Sequence, residues 1–309
     1  MHATGIPLTR GAVDALVIPD EGGVLSRLRV AGLEVLATTP WAGDREPPAS
    51  PAVTEADWVD RWRGGWQLCF PSAGEGQAGS PWPQGFHGVA SQAPWRVRTI
   101  EADRVVLDWS DEHALTATRT WSLTDSGAEV ETVAVNHGTV ARPVIVAEHL
   151  ILGGDLLAPV IRDDATLTIV PPVGALIAGL DYEGRPEGER RPWPGAAADR
   201  WPQVDRDTPA RVAALVDVEP RLIRVEGVHA SATVTWHGLA HALVWEELAR
   251  STEPPWNGSV IALGIEPTSA PHGRGTASAE GTLWLEPGSS MAWGATLAVD
   301  WLDDPSRTT

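Results

Sequence analysis

Apolar and polar residues alternate with a period of two along much of this chain. Val24, Ser26, Leu28 and Val30 fall on one side of a short stretch, with Leu25, Arg27 and Arg29 on the other. Val130, Thr132, Ala134 and Asn136 repeat the pattern, and Met291, Trp293, Ala295, Leu297, Val299 and Trp301 line one face near the end. Alternation of this kind marks half-buried β-strands. It predicts strands over 13–18, 24–30, 33–36, 95–100, 104–109, 113–123, 128–136, 142–152, 211–216, 222–225, 229–236, 243–245, 281–286 and 291–301. Between 95 and 136 the strands are separated at even spacing by Glu101-Ala102-Asp103, Ser110-Asp111-Glu112 and Thr124-Asp125-Ser126-Gly127, which predicts a meander. Pro287-Gly288 predicts a closing hairpin, and 246–250 a single helical turn. No long stretch has the 3.6-residue period of a helix. The pattern therefore predicts an all-β chain, 1–309, forming a single large domain of two mainly antiparallel sheets.

Three stretches break the alternation. Residues 39–51, 72–88 and 171–201 are rich in Gly, Pro, Trp and charge. Long irregular segments in a compact protein are usually functional, so these are expected to wall a site. The apolar run 260–263 predicts a buried strand that ends at Gly264, with the carboxylate of Glu266 at its mouth and Pro267 stopping the ladder.

Composition adds limits. The 309 residues are 43% hydrophobic, enough for a large core. Trp occurs 16 times against Tyr 1 and Phe 2, so indoles serve either as core filler or as faces on which a ring ligand stacks. The net charge is -18 and every cationic side chain apart from histidine is Arg. Such a surface repels phosphate backbones and anionic lipid, which argues against nucleic-acid and membrane partners. No apolar stretch reaches a membrane span and the N-terminus lacks a signal pattern, so a cytoplasmic protein is expected. Cys69 is the lone cysteine and forms no intrachain disulfide.

Few residues offer chemistry. His149 interrupts an apolar strand, where a polar group must be paired or useful. Its neighbour Glu148 points to the opposite face if that strand is regular, as a packed or hydrogen-bonded carboxylate. His87 lies in Gly85-Phe86-His87-Gly88, where glycine admits a close ligand. His237 and His241 are four apart, but Gly238 and the β pattern spoil a helical metal pair, and no metal is expected. A phosphate loop, a dinucleotide fingerprint and a Gly-x-Ser-x-Gly elbow are all missing from the sequence.

Three segments, taken in order, resemble the aldose 1-epimerase (galactose mutarotase-like) family. They are Gly64-Gly65-Trp66-Gln67-Leu68-Cys69-Phe70-Pro71 leading to Phe86-His87-Gly88 and Pro94-Trp95; Asn136-His137 through Glu148-His149-Leu150; and Leu243-Val244-Trp245, Pro255-Trp256 and Leu263-Gly264-Ile265-Glu266-Pro267. The resemblance implies a β-supersandwich with a small-molecule sugar in an open groove and no cofactor. It implies Glu266 as the general base on the anomeric hydroxyl, His149 as the general acid at the ring oxygen, and His87 as a sugar-binding histidine. Arg63, Trp66 and Trp245 are expected against the substrate, and Asp181, chosen for its loop position, stands in for the family's sugar-binding aspartate. The sugar-phosphate epimerases of this superfamily carry an arginine soon after the His-Gly pair. This chain reads His87-Gly88-Val89-Ala90-Ser91, which points to an unphosphorylated aldose unless Arg61 or Arg63 substitutes. A non-catalytic sugar-binding protein and a glycoside hydrolase or lyase remain alternatives. A hydrolase needs a second carboxylate facing Glu266, for which Glu75 and Asp181 are the candidates.

Overall fold

The fold is taken from a computed structural model, which describes residues 5–41, 50–82, 84–181, 183–195 and 201–302. Two large antiparallel sheets dominate it. The first has 11 strands. In spatial order it runs Ile6–Arg10, Val13–Ile18, Val24–Val30, Trp66–Cys69, Ala147–Leu152, Ile261–Thr268, His241–Leu248, Arg211–Val216, Leu176–Leu180 and Pro186–Pro192, with Leu33–Glu34 paired beside Val24–Val30. The second has 9 strands: Gln203–Val204, Leu167–Val170, Leu222–Glu226, Ala230–His237, Ser290–Trp301, Gly127–Asn136, Leu115–Leu123, Arg104–Ser110 and Arg96–Ile100. Its last four, from Arg96 to Asn136, are the predicted meander.

The alternating positions explain how the sheets meet. Leu25, Leu150 and Ile265 of the first sheet pack with Trp121, Val130 and Trp293 of the second in one continuous core. One buried ion pair crosses it. The two terminal guanidinium nitrogens of Arg119, from the second sheet, donate to Glu148 of the first, at 2.8 and 2.7 Å. The Nε1 groups of Trp66 and Trp293 each donate to the same carboxylate at 2.9 Å. Glu148 thus points away from His149's face and is fully satisfied, as a buried charge must be.

The structure corrects several expectations. The strand carrying Glu266 does not stop at Gly264 but continues to Thr268, with Pro267 paired to Ala242. Proline is tolerated there because the ladder to Ala147–Leu152 lapses opposite it: pairing is recorded at Ala147 with Thr268, and next at Ile151 with Gly264. Residues 246–248 extend a strand rather than a helical turn. Leu283–Leu285 pairs with Arg142–Val144, not with the final strand, so Pro287-Gly288 is not a hairpin tip. The stretch expected as an irregular wall at 171–201 holds the paired strands Leu176–Leu180 and Pro186–Pro192. An unforeseen helix, Gly154–Arg162, buries Leu156, Leu157 and Val160; its internal Pro159 reads as a breaker in sequence. Residues 42–49 of the loop expected at 39–51, and 196–200 of the one expected at 171–201, lie outside the described residues.

Candidate active site

On the outer face of the first sheet three polar side chains stand in a row across neighbouring strands. Gln67 pairs with His149. Ala147 pairs with Thr268 and Ile151 with Gly264, which sets His149 opposite Glu266, midway between them. Directly opposed residues keep their Cβ atoms about 4.5–5.5 Å apart, so the imidazole and the carboxylate are neighbours. Both are deeply set, His149 7% and Glu266 6% exposed. Gly264 makes the room: a Cβ there would run into Oε1 of Glu266.

His87 joins them from the loop before Val89. Its backbone φ of 58° is left-handed, and Gly88 follows at 77°. Only glycine fits at 88, since a Cβ would strike the Phe70 carbonyl. This bend brings the His87 ring to 5.2 Å from that of His149, centroid to centroid. Nδ1 of His87 accepts from the Gly74 amide at 2.9 Å, so the neutral ring carries its proton on Nε2.

Aromatic rings cover the row. The short helix Glu55–Val59, capped by Thr54, and the turn after it present Trp58 and Trp62, with ring centroids 5.8 Å apart. Trp58 lies edge-on to His87 at 4.5 Å and to His149 at 5.5 Å, and Trp62 to His149 at 5.9 Å. The expected open groove is therefore roofed by indole over His87 and His149.

Burial sets the charges. Glu266 has no hydrogen-bond or charge partner among the described residues, and burial alone pushes its carboxyl up to about 8. Burial pushes His149 down to about 4. His87 is lowered well below the usual histidine value by burial and by its neighbour His149. Three buried polar atoms here lack a partner: Nδ1 of His149, Oε1 of Gln67 and Nε1 of Trp62. Buried polar groups are nearly always paired, so such a cluster is what a polar ligand would complete.

The remaining expected residues are placed as follows. Trp245 is on the same face, paired across from Gly264, with its ring 5.8 Å from Trp62. Trp66 is corrected: its strand turns the side chain into the inter-sheet core, 0% exposed and bonded to Glu148, where no substrate reaches. Arg63 makes a two-pronged pair with Glu21. Asp181 builds its own turn, accepting from the amides of Glu183 and Arg185 and from the Arg185 guanidinium. Those bonds hold its carboxyl below the usual range. That turn approaches the site's end, since the Gly273 amide donates to Gly184 O at 2.9 Å and Arg274 bridges to Gly74. Glu75 pairs with Arg274 at 3.4 Å. Neither hydrolase candidate faces Glu266 as a second carboxylate.

Gln67, Trp58 and Trp62 add to the site residues expected from sequence. The i, i+4 spacing of Trp58 and Trp62 behind the Thr54 cap was the available signal, because it stacks two rings on one side of a turn. Gln67 carried none; only the register puts it beside His149.

No family model matches the chain, and no curated protein matches it in sequence. Solved structures do match in shape. The Slr1438 protein of Synechocystis aligns with TM-score 0.73 at 18% identity, covering 98% of this chain and 97% of that one. A galactose mutarotase-like protein of Lactobacillus casei aligns at 0.70 and 18%, covering 96% and 100%. A galactose mutarotase related enzyme of Lactobacillus acidophilus aligns at 0.68 and 12%, covering 97% and 99%. The chain has the galactose mutarotase-like fold.

Proposed function

We propose that this protein is an aldose 1-epimerase, interconverting the anomers of an unphosphorylated sugar by acid–base opening of the ring. The observation that carries the reading is the cross-strand juxtaposition of His149 and Glu266 on one face, beside the His87 ring. Opening a hemiacetal takes one proton from the anomeric hydroxyl and delivers one to the ring oxygen, and closure reverses both. A carboxyl and an imidazole side by side can exchange those protons without a covalent intermediate.

The resting pair holds a single proton. With Glu266 near 8 and His149 near 4, that proton sits on the carboxyl at neutral pH. Sugar hydroxyls are suited to change this. Hydrogen bonds donated to the unpartnered carboxylate favour its charged form and lower its pKa. The proton then passes to His149, which gives it to the ring oxygen as Glu266 takes the anomeric proton. His87, with its proton on Nε2, is a fixed donor to a sugar oxygen. Trp58 and Trp62 exclude water, which strengthens each of these interactions.

Saturation-transfer NMR over a panel of neutral aldoses tests the reading. The wild type is expected to accelerate anomer exchange of at least one sugar, and Glu266→Gln and His149→Asn to slow it by at least about 100-fold. No acceleration of any sugar, or full activity in both variants, would sink the assignment. Sugar binding without exchange would favour a carbohydrate-binding protein instead.

A further inference from the structure

Beyond Glu266 the same outer face carries indoles that the acid–base chemistry does not use. Trp245 stands across from Gly264. Trp256, from the loop between His241–Leu248 and Ile261–Thr268, lies 6.0 Å from Trp245 and 6.0 Å from Trp62. Trp41 meets Trp256 edge-on at 5.5 Å. Unlike the core tryptophans, these three are only partly buried. They lie on the opposite side of the first sheet from the main core, continuous with the rings around His149.

The rings are held in place. Glu247, 2% exposed, accepts from the Arg250 amide and from the amide and hydroxyl of Ser251, at the start of the loop bearing Trp256. Trp41 Nε1 donates to the Val59 carbonyl at 2.8 Å. Between this row and the catalytic pair sits Trp62, whose buried Nε1 has no acceptor. Preset aromatic faces beside an unused donor match the two sides of a pyranose, C–H face and hydroxyl rim.

We propose that Trp41, Trp245 and Trp256 form a subsite for a second sugar ring, so that the substrate is the reducing end of a neutral oligosaccharide. This rests on the epimerase reading. It follows from a constraint of that chemistry: the reacting residue must keep its anomeric hydroxyl free. Whatever lies on the indoles hangs from another carbon of the reacting ring, and a glycosidically linked second ring is the neutral group with the right faces. A phosphate is disfavoured, because Arg61 is engaged by the Ser50 carbonyl and Arg63 by Glu21.

The test compares exchange rates for glucose, maltose, cellobiose and lactose, which share one reducing residue, and for galactose against a galactose disaccharide. The expected kcat/KM is at least about tenfold higher for one disaccharide than for its reducing-end monosaccharide. In Trp256→Ala that ratio is expected to collapse, and in Trp256→Phe to fall partway; thermal melts show which variants are folded. Equal rates on mono- and disaccharides, or a preference that survives in a folded Trp256 variant, would overturn the subsite. If no sugar is exchanged, the epimerase reading fails. The subsite is then read by fluorescence titration with the same sugars, where equal affinities would overturn it.

Discussion

Glu266 and His149 are each buried without a countercharge, and burial moves them in opposite directions, the carboxyl up to about 8 and the imidazole down to about 4. Between those values the two groups together hold one proton. Above about 8 the pair loses its acid; below about 4 it gains a second proton and loses its base. Burial and the neighbouring His149 lower His87 well below the usual histidine value, so it adds no limb near that value. The expected profile of kcat/KM against pH is a broad plateau with an alkaline limb near 8 and an acid limb near 4. Saturation-transfer NMR from about pH 3 to about pH 10, corrected for uncatalysed mutarotation, checks it. A limb near the ordinary histidine value would show that the pair is not buried in the active form. All three of these side chains could be singled out in sequence, because a polar residue amid apolar or glycine neighbours stands out. Gln67 could not, since its place beside His149 comes from strand register and its unpartnered Oε1 from packing.

At the scale of the element, the strand Ile261–Thr268 decides whether the pair forms. Its apolar start was legible, but Pro267 argued for an early end. Proline costs a strand little where the facing ladder already lapses, and such a lapse is a tertiary fact. The same strand gives Gly264 its purpose. A methyl group there meets Oε1 of Glu266, with Ile151 and the Trp245 Cβ both at 3.2 Å leaving little alternative space. Gly264→Ala is therefore expected to push the carboxylate off its position while the backbone, which is ordinary β, stays put. A displacement of about 1 Å at a reacting group can cost about 100-fold, so kcat/KM should fall on that order while the melting temperature changes little. A variant with normal exchange would mean that the carboxylate can settle elsewhere and still work. The Trp58 and Trp62 roof belongs to this scale too: a helix of five residues places Trp58, and the turn after it places Trp62.

For the whole molecule, alternation revealed the strands and the meander but not which distant strands adjoin. The order Trp66–Cys69, Ala147–Leu152, Ile261–Thr268 joins segments far apart in the chain, and nothing local encodes it. The buried pair of Arg119 and Glu148 helps to hold that order, because it ties the strand bearing His149 to the opposite sheet. Both side chains are 0% exposed, and the carboxylate takes four hydrogen bonds, two from the guanidinium and two from indoles. Removing one partner strands the other charge in the core. Glu148→Leu is expected to cost about 3–5 kcal/mol, and Arg119→Met a similar amount. The double variant should recover a large part of either loss, because it leaves no buried charge. Denaturant unfolding of the four proteins measures the coupling. Additive losses would show that the pair acts through packing alone. Since Glu148 lies next to His149 but points into the core rather than to the outer face, a folded single variant should lose activity only as far as the strand itself shifts. That separates the tie between the sheets from the chemistry on the outer face.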